Sequence, residues 1–293
     1  MRNTIAIMNT KGGVGKSTLV LALAETLSAK FGKNVLIIDS DAQASVSLML
    51  LSAGDLNRLQ LDRLTIVELL VASVLNNMAI DWTRFAVAGV SDVEEARTVY
   101  LIPSDMQLTL FEREVTKERL LARMRARVGA LLADVRAMFD VTLIDCPPGL
   151  SVLTESWLRE ADFHISPTRP DHISTYALEV LGHFKGLNPE MGFAENLGVL
   201  INMKEMQSSI DLEHQRRLME NKGNRCFAQV VPHTVALQHA SHLRPVERSY
   251  DMKYPAESGH AVRAVCQELL NRLAAANTSS TASASQSAAP IVR

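Results

Sequence analysis

The chain has 293 residues, is 47% hydrophobic, and carries 30 Lys and Arg against 32 Asp and Glu for a formal net charge of -2. That apolar content supports a packed core and excludes a wholly disordered chain, while the near-neutral charge excludes a protein that coats nucleic acid with its entire surface. A local basic patch stays open.

No stretch approaches the roughly 18 consecutive apolar residues of a membrane span, and the start, MRNTIAIMNTKGG, leaves no room for a signal peptide. Cys146, Cys226 and Cys266 are widely spaced and odd in number, which fits neither a zinc site nor a disulfide framework. A cytoplasmic protein without a membrane partner is the expectation.

In chain order, a strand is expected at TIAIMN (4 to 9), then the glycine loop TKGGVGKST (10 to 18), a helix from about Ser17, and a strand at NVLIID (34 to 39). The segment from Leu50 to about Ala96 is less regular, with a helical pattern in TIVELLVASVL, and is expected to cap one end of a sheet. Further strands are expected at 98 to 102, 140 to 145, 163 to 167, 197 to 202 and 227 to 231. Between the first two of these lies a helical stretch in which Arg119, Arg123 and Arg127 recur every fourth residue, behind apolar Leu120, Leu121, Met124, Val128 and Leu131. The last helical pattern gathers Val262, Val265, Cys266, Leu269, Leu270 and Leu273 on one face with Arg263 and Arg272 as its cations. So few cations favour packing against the sheet over lying on a membrane.

Nearly continuous apolar strands alternating with helices predict an α/β fold, a doubly wound and mostly parallel sheet with helices on both faces. One domain is expected over 1 to 276. Residues 277 to 293, rich in Ser, Thr and Ala, are expected to be a flexible tail.

The chemistry concentrates at three places. A glycine-rich turn between a strand and a helix aims backbone N–H groups and the helix dipole at phosphates, with Lys16 reaching the β and γ phosphates and the Ser17 hydroxyl binding Mg²⁺. The usual pattern, G-x-x-x-x-G-K-[ST], asks for glycine where this chain has Thr10, and an extra lysine, Lys11, follows it. The second place is Asp39 and Asp41 at the end of VLIID. One carboxylate there can hold a metal's water shell while the other orients or activates the attacking water. The third is Asp145, ending the apolar strand VTLID, an arrangement that binds Mg²⁺ indirectly.

Together these stretches resemble the deviant Walker ATPases, the ParA and MinD family, from residue 3 to about 274. KGGVGKST has the family's signature lysine at Lys11, DSDAQ matches its D-x-D-P-Q segment with Ala42 in place of proline, and DCPPG matches its D-x-P-P-S/G segment. LIPSDMQLTLFERE (101 to 114) and VVPHTVALQHA (230 to 240) are similar to later ParA segments. The resemblance implies ATP and Mg²⁺ as cofactors, bound by Lys11, Gly12, Gly13, Val14, Gly15, Lys16, Ser17 and Thr18. It implies that Lys11 reaches across a two-fold interface to the partner's phosphates, that Asp41 positions the attacking water, and that Asp39 and Asp145 surround the Mg²⁺ shell. Asn202, Met203, Pro232 and His233 are expected to frame the adenine.

A ParA-like protein would be a slow Mg²⁺-dependent ATPase. Its ATP-bound homodimer would hold nucleoid DNA without sequence preference, and a ParB-like or adaptor protein would stimulate hydrolysis. The candidate DNA contacts are Arg244 and Arg248, with Lys204, Arg216, Arg217, Lys222 and Arg225 as a second cluster. Three alternatives stand beside this. One is a MinD-like switch on a membrane or protein surface, one an iron–sulfur protein using Cys146 and Cys226, and one a P-loop kinase or ligase acting on a small acceptor.

Overall fold

The computed structural model describes residues 3–287, and of 279–287 only the helical backbone. Among the described residues, β1 (Asn3–Ile7), β2 (Val35–Asp39), β3 (Val87–Ala88), β4 (Val99–Ile102), β5 (Val141–Asp145), β6 (Phe163–Thr168) and β7 (Glu195–Ile201) form one sheet. Its order is β3-β4-β2-β5-β1-β6-β7, parallel throughout except for β3 against β4. The expected mostly parallel sheet is present, and the reversal of strand order around β1 and β5 opens a crevice at the strands' C-terminal ends.

Helices cover both faces: α1 (Lys16–Phe31), α2 (Ser45–Leu50), α3 (Ala53–Leu61), α4 (Ile66–Leu70), α5 (Leu108–Lys117), α6 (Leu121–Met138), α7 (Val152–Glu160), α8 (His172–Leu187), α9 (Ser209–Glu220), α10 (Val235–Ala240), α11 (Tyr250–Lys253) and α12 (Ala256–Ser287). Alternate strand residues feed two cores, because successive side chains leave opposite faces of the sheet. Ile5, Ile7, Ile37, Leu101, Leu143 and Ile165 pack with Leu23 and Leu27 of α1 and with Val262, Val265, Cys266, Leu269 and Leu273 of α12. The intervening Ala6, Leu36, Ile38, Ile102 and Ile144 pack with residues of α4, α6 and α7. The apolar face of α12 is thus committed to the sheet.

Three expectations need correction. Residues 227 to 231 are not a strand. The N–H groups of Phe227 and Val231 bond the carbonyls of Val199 and Ile201 on β7, but those of Ala228 and Gln229 go to the Glu268 carboxylate on α12, which interrupts the ladder. Helix α12 runs to Ser287, so residues 277 to 287 of the expected tail are helical, and Asn277 bonds Asn3 and the Leu273 carbonyl. Residues 288 to 293 lie outside the described residues. The four-residue arginine stripe is also broken: Arg119 sits at positive φ in the turn between α5 and α6, while Arg123 donates to the Val74 carbonyl and Arg127 to Asn77. Those two guanidiniums tie α6 to the 71 to 77 segment.

A polar cluster is buried far along α1 from the glycine loop. Lys253, with a fully buried side chain, meets Glu25 at 2.8 Å and Asp92 at 2.6 Å, and Arg248 meets the other oxygen of Asp92 at 2.9 Å. The Tyr254 hydroxyl donates to the second oxygen of Glu25. Every carboxylate oxygen in the cluster has a donor.

Candidate nucleotide-binding site

The glycine loop follows β1, the strand flanked by β5 and β6, and leads into α1. Gly13 and Gly15 have φ of 75° and 78°, a region that side chains with a Cβ disfavour. Gly15 is doubly constrained, since a Cβ there would lie 2.7 Å from the Asn202 side-chain nitrogen. At Gly12 and Gly13 a Cβ would meet nothing nearer than Pro148 Cβ at 3.9 Å, so the concave side of the loop is open. Backbone N–H groups there can face an anion at the start of a 16-residue helix.

The two departures from the ordinary loop pattern share one purpose in the structure. The Thr10 hydroxyl donates to the Ala177 carbonyl of α8 at 2.9 Å. Lys11 Nζ reaches the carboxylate of Asp171, which caps α8, at 3.2 and 3.3 Å, and the Ser174 hydroxyl at 2.9 Å. Asn9 completes the anchorage, donating to the Pro167 carbonyl and accepting from the Lys11 N–H. The first half of the loop is therefore held by β6 and α8, and the Lys11 ammonium is turned toward α8. Burial alone would raise the Asp171 pKa, but the Ser174 N–H, the Ser174 hydroxyl and Lys11 outweigh it and hold the carboxyl below the usual range.

Asp39 and Asp145 end adjacent strands and stand side by side in the register. Their surroundings differ. Asp39 accepts from the Ser47 N–H and hydroxyl at 2.9 and 2.6 Å and from the Asp41 N–H at 3.2 Å, while the Ser104 N–H backs up the Ser47 hydroxyl. Asp145 is fully buried, and neither of its oxygens has a hydrogen-bond partner of good geometry. Burial, followed by the nearby Asp39 charge, raises the Asp145 carboxyl to about 8, with the Ser17 hydroxyl and Lys16 only partly offsetting the rise. Burial likewise raises Asp39, against the bonds from Ser47.

A buried carboxylate with no hydrogen bond of good geometry, faced by a serine hydroxyl and a lysine at the mouth of a phosphate loop, fits a hydrated divalent cation. Ser17 and Asp145 supply the oxygens that would hold it. Asp39 has its lone pairs partly taken and also shapes the turn that presents Asp41. Asp41, 9% exposed, accepts from the Gln43 N–H, and its other oxygen makes no hydrogen bond among the described residues. That oxygen is open toward an incoming group.

A cavity of about 350 Å³ opens behind the loop. Asn202, Met203, Pro232 and His233, expected at the base, all line it together with Gly13, Gly15 and Thr18. Asn202 also anchors the loop, donating to the Val14 carbonyl at 2.8 Å. The His233 N–H bonds the Lys204 carbonyl and the Lys204 N–H bonds the Val231 carbonyl, which binds the proline segment to the end of β7.

The expected DNA contacts fare differently. Arg216 pairs with Glu220, Arg217 with Glu213 and Arg225 with Glu195. Lys204 and Arg248 are buried, the latter on Asp92. Among the described residues, Arg244 and Lys222 are the exposed members of that set without an ion pair. The cysteines offer no exposed pair, since Cys146 and Cys266 are buried and the half-buried Cys226 thiol donates to the Leu218 carbonyl.

Sequence reading missed Asn9, Asp171, Ser174 and Gln238, which also lines the cavity. Only Asp171 and Ser174 leave a local signal, the helix-capping spacing D-x-x-S in DHIS.

Residues 2–188 match the family model described as AAA domain. The chain belongs to that family, in its ParA and MinD branch. It is 27% identical over 275 residues to the chromosome partitioning protein ParA of Caulobacter vibrioides, covering 92% of this chain and 94% of that one. Among solved structures it resembles the cobyrinic acid a,c-diamide synthase of Mycobacterium smegmatis with bound ATP analog and magnesium (TM-score 0.72, 20% identity, 93% of this chain and 96% of that chain). It also resembles a putative plasmid partition protein of Borrelia burgdorferi bound to AMPPNP (TM-score 0.69, 20% identity, 92% and 99%). At such identities the two structures establish the shared fold alone.

Proposed function

We propose that this chain is a ParA-type positioning ATPase, binding ATP with Mg²⁺ and forming an ATP-sandwich homodimer. The observation that carries the proposal is the orphaned Asp145 carboxylate facing Ser17 and Lys16 at the mouth of the glycine loop. Lys16 and the loop N–H groups hold the β and γ phosphates, Thr18 and Val14 complete the turn, and Asp41 orients the attacking water. Bound Mg²⁺ neutralises phosphate charge. Asn202, Met203, Pro232 and His233 enclose the adenine.

Lys11 acts on the partner's nucleotide. Its ammonium rests on Asp171 and Ser174, outside its own phosphate cradle, and adding it to a phosphate in trans couples dimerisation to hydrolysis. Exposed apolar residues support a face that is covered in the dimer. Met106, Ile173, Met206 and Ile210 stand at or just before the starts of α5, α8 and α9, which follow β4, β6 and β7 on the strand edge that carries the loop.

The ATP dimer then holds a surface, and nonspecific duplex DNA is the first reading, with cytoplasmic, nucleoid-associated placement and a ParB-like or adaptor protein stimulating turnover. The internal pairing of Arg216, Arg217 and Arg225 favours a second reading, in which the surface is a protein. Duplex binding at low and moderate salt, with ATP, with ADP and without nucleotide, separates them in the Asp41→Ala protein. Binding only with ATP, weakening steeply with salt, supports DNA. No binding in any state, with dimerisation intact, supports a protein surface. Turnover that requires a small acceptor would overturn the positioning role.

A further inference from the structure

The rim of the base cavity carries a chain of three polar side chains whose donors and acceptors are fixed in sequence. Glu205 Oε1 meets His233 Nδ1. An ionised carboxylate only accepts, so Nδ1 carries the ring hydrogen and, in the neutral ring, Nε2 is left as an acceptor. Gln238 Nε2 lies 2.8 Å from His233 Nε2. The amide stands with its NH₂ toward that lone pair, the orientation that the neutral ring requires of it.

The consequence falls on Gln238 Oε1, which makes no hydrogen bond among the described residues. Gln238 lines the cavity on α10, and its backbone is held there, with its carbonyl accepting from the Ser241 hydroxyl at 2.6 Å. Two other polar groups of the lining are engaged elsewhere: Asn202 Nδ2 is spent on the Val14 carbonyl, and the Thr234 hydroxyl shares a hydrogen bond with Ser258. Gln238 therefore carries an acceptor at the wall of the cavity.

We propose that the Glu205, His233, Gln238 chain sets the base selectivity of the site, with Gln238 Oε1 accepting from the exocyclic amine of a 6-aminopurine. A 6-oxopurine would bring its own lone pairs against that oxygen and lose the hydrogen bond that a 6-aminopurine makes. Glu205 touches no base; it is a positioning residue that acts through the tautomer of His233. This inference rests on the reading of the cavity as the base site of a nucleoside triphosphate.

The test is equilibrium binding of Mg·ATP and Mg·GTP to the full chain, titrated in parallel for the wild type, Gln238→Ala and Glu205→Gln. Gln238 and Glu205 are both exposed, so the variants are expected to fold, and thermal melting checks that they do. The wild type is expected to prefer ATP by about 10- to 100-fold, the range of one hydrogen bond made or left unpaired. Gln238→Ala removes the acceptor, and Glu205→Gln can donate to Nδ1, which frees the other tautomer and lets the Gln238 amide turn over. In both, the ATP to GTP preference should fall to within about 5-fold, by the same reasoning, with ATP still bound. A preference that both variants leave unchanged, or a wild type that binds both triphosphates equally, overturns the selectivity chain alone. A wild type that binds neither overturns the nucleotide reading and this inference with it.

Discussion

Two buried clusters of charge sit along α1, one at its N-terminus and one around Glu25 at mid-helix, and they are built on opposite rules. Around Glu25, Lys253, Arg248 and the Tyr254 hydroxyl answer Glu25 and Asp92 at every oxygen. At the loop end, Asp145 is just as buried, lies beside a second carboxylate, and has no hydrogen-bond partner of good geometry. A compensated cluster is finished when the chain folds. An uncompensated one is unfavourable until something arrives, and that difference marks the functional end of the helix.

The comparison breaks most sharply at Lys16. Lys16→Ala removes the cation nearest the phosphates and should abolish turnover, with nucleotide affinity down by a factor on the order of 100 or more, read by titration. Lys253→Met should leave nucleotide affinity near wild type and destabilise the fold by about 3–5 kcal/mol, since Glu25 and Asp92 would stay buried without their cation. Urea denaturation without nucleotide checks this. Asp145→Asn should do the reverse, raising the stability of the nucleotide-free protein by roughly 2 kcal/mol while removing its response to Mg²⁺.

The pH dependence follows from the same carboxylate. Asp145 is raised from 3.8 to about 8 in the folded chain, so above 3.8 the native state binds a proton that the unfolded state has lost. Without metal this makes stability fall as pH rises from about 4 toward 8. Mg²⁺ binds the ionised form, so the apparent affinity for Mg²⁺ and nucleotide should increase with pH over the upper part of that window. Calorimetric titration at pH 6 and pH 8 measures it, and a flat affinity would contradict the raised carboxyl.

Much of the loop end could be read from sequence because its parts are local. Each phosphate-site element, TKGGVGKST, DSD and VTLID, is contiguous, and the apolar runs that carry them become parallel strands whose C-terminal ends must meet. The anchors of Lys11 could not be read this way: Asp171 and Ser174 lie some 160 residues away, joined only by the placement of β6 beside β1. The 227 to 231 segment misled because its apolar content is real, with Phe227 and Val231 buried beside β7, while the Glu268 carboxylate on α12 takes two of its N–H groups. Charge was the least legible property. Arg225 reads as part of a basic patch until the fold brings Glu195 to it, whereas the Arg216–Glu220 pair, four residues apart on α9, was there to be read.

Lys11 carries the central claim, because the structure turns its ammonium onto α8 and the account requires it to serve a second subunit. The direct measurement is the solution mass of the Asp41→Ala protein by analytical ultracentrifugation with ATP and with ADP, beside the same protein carrying Lys11→Ala. The account predicts a doubling of mass with ATP alone, lost in the Lys11→Ala protein although it still binds ATP. Full ATP-dependent dimerisation without Lys11, or a mass that ATP does not change, would contradict it.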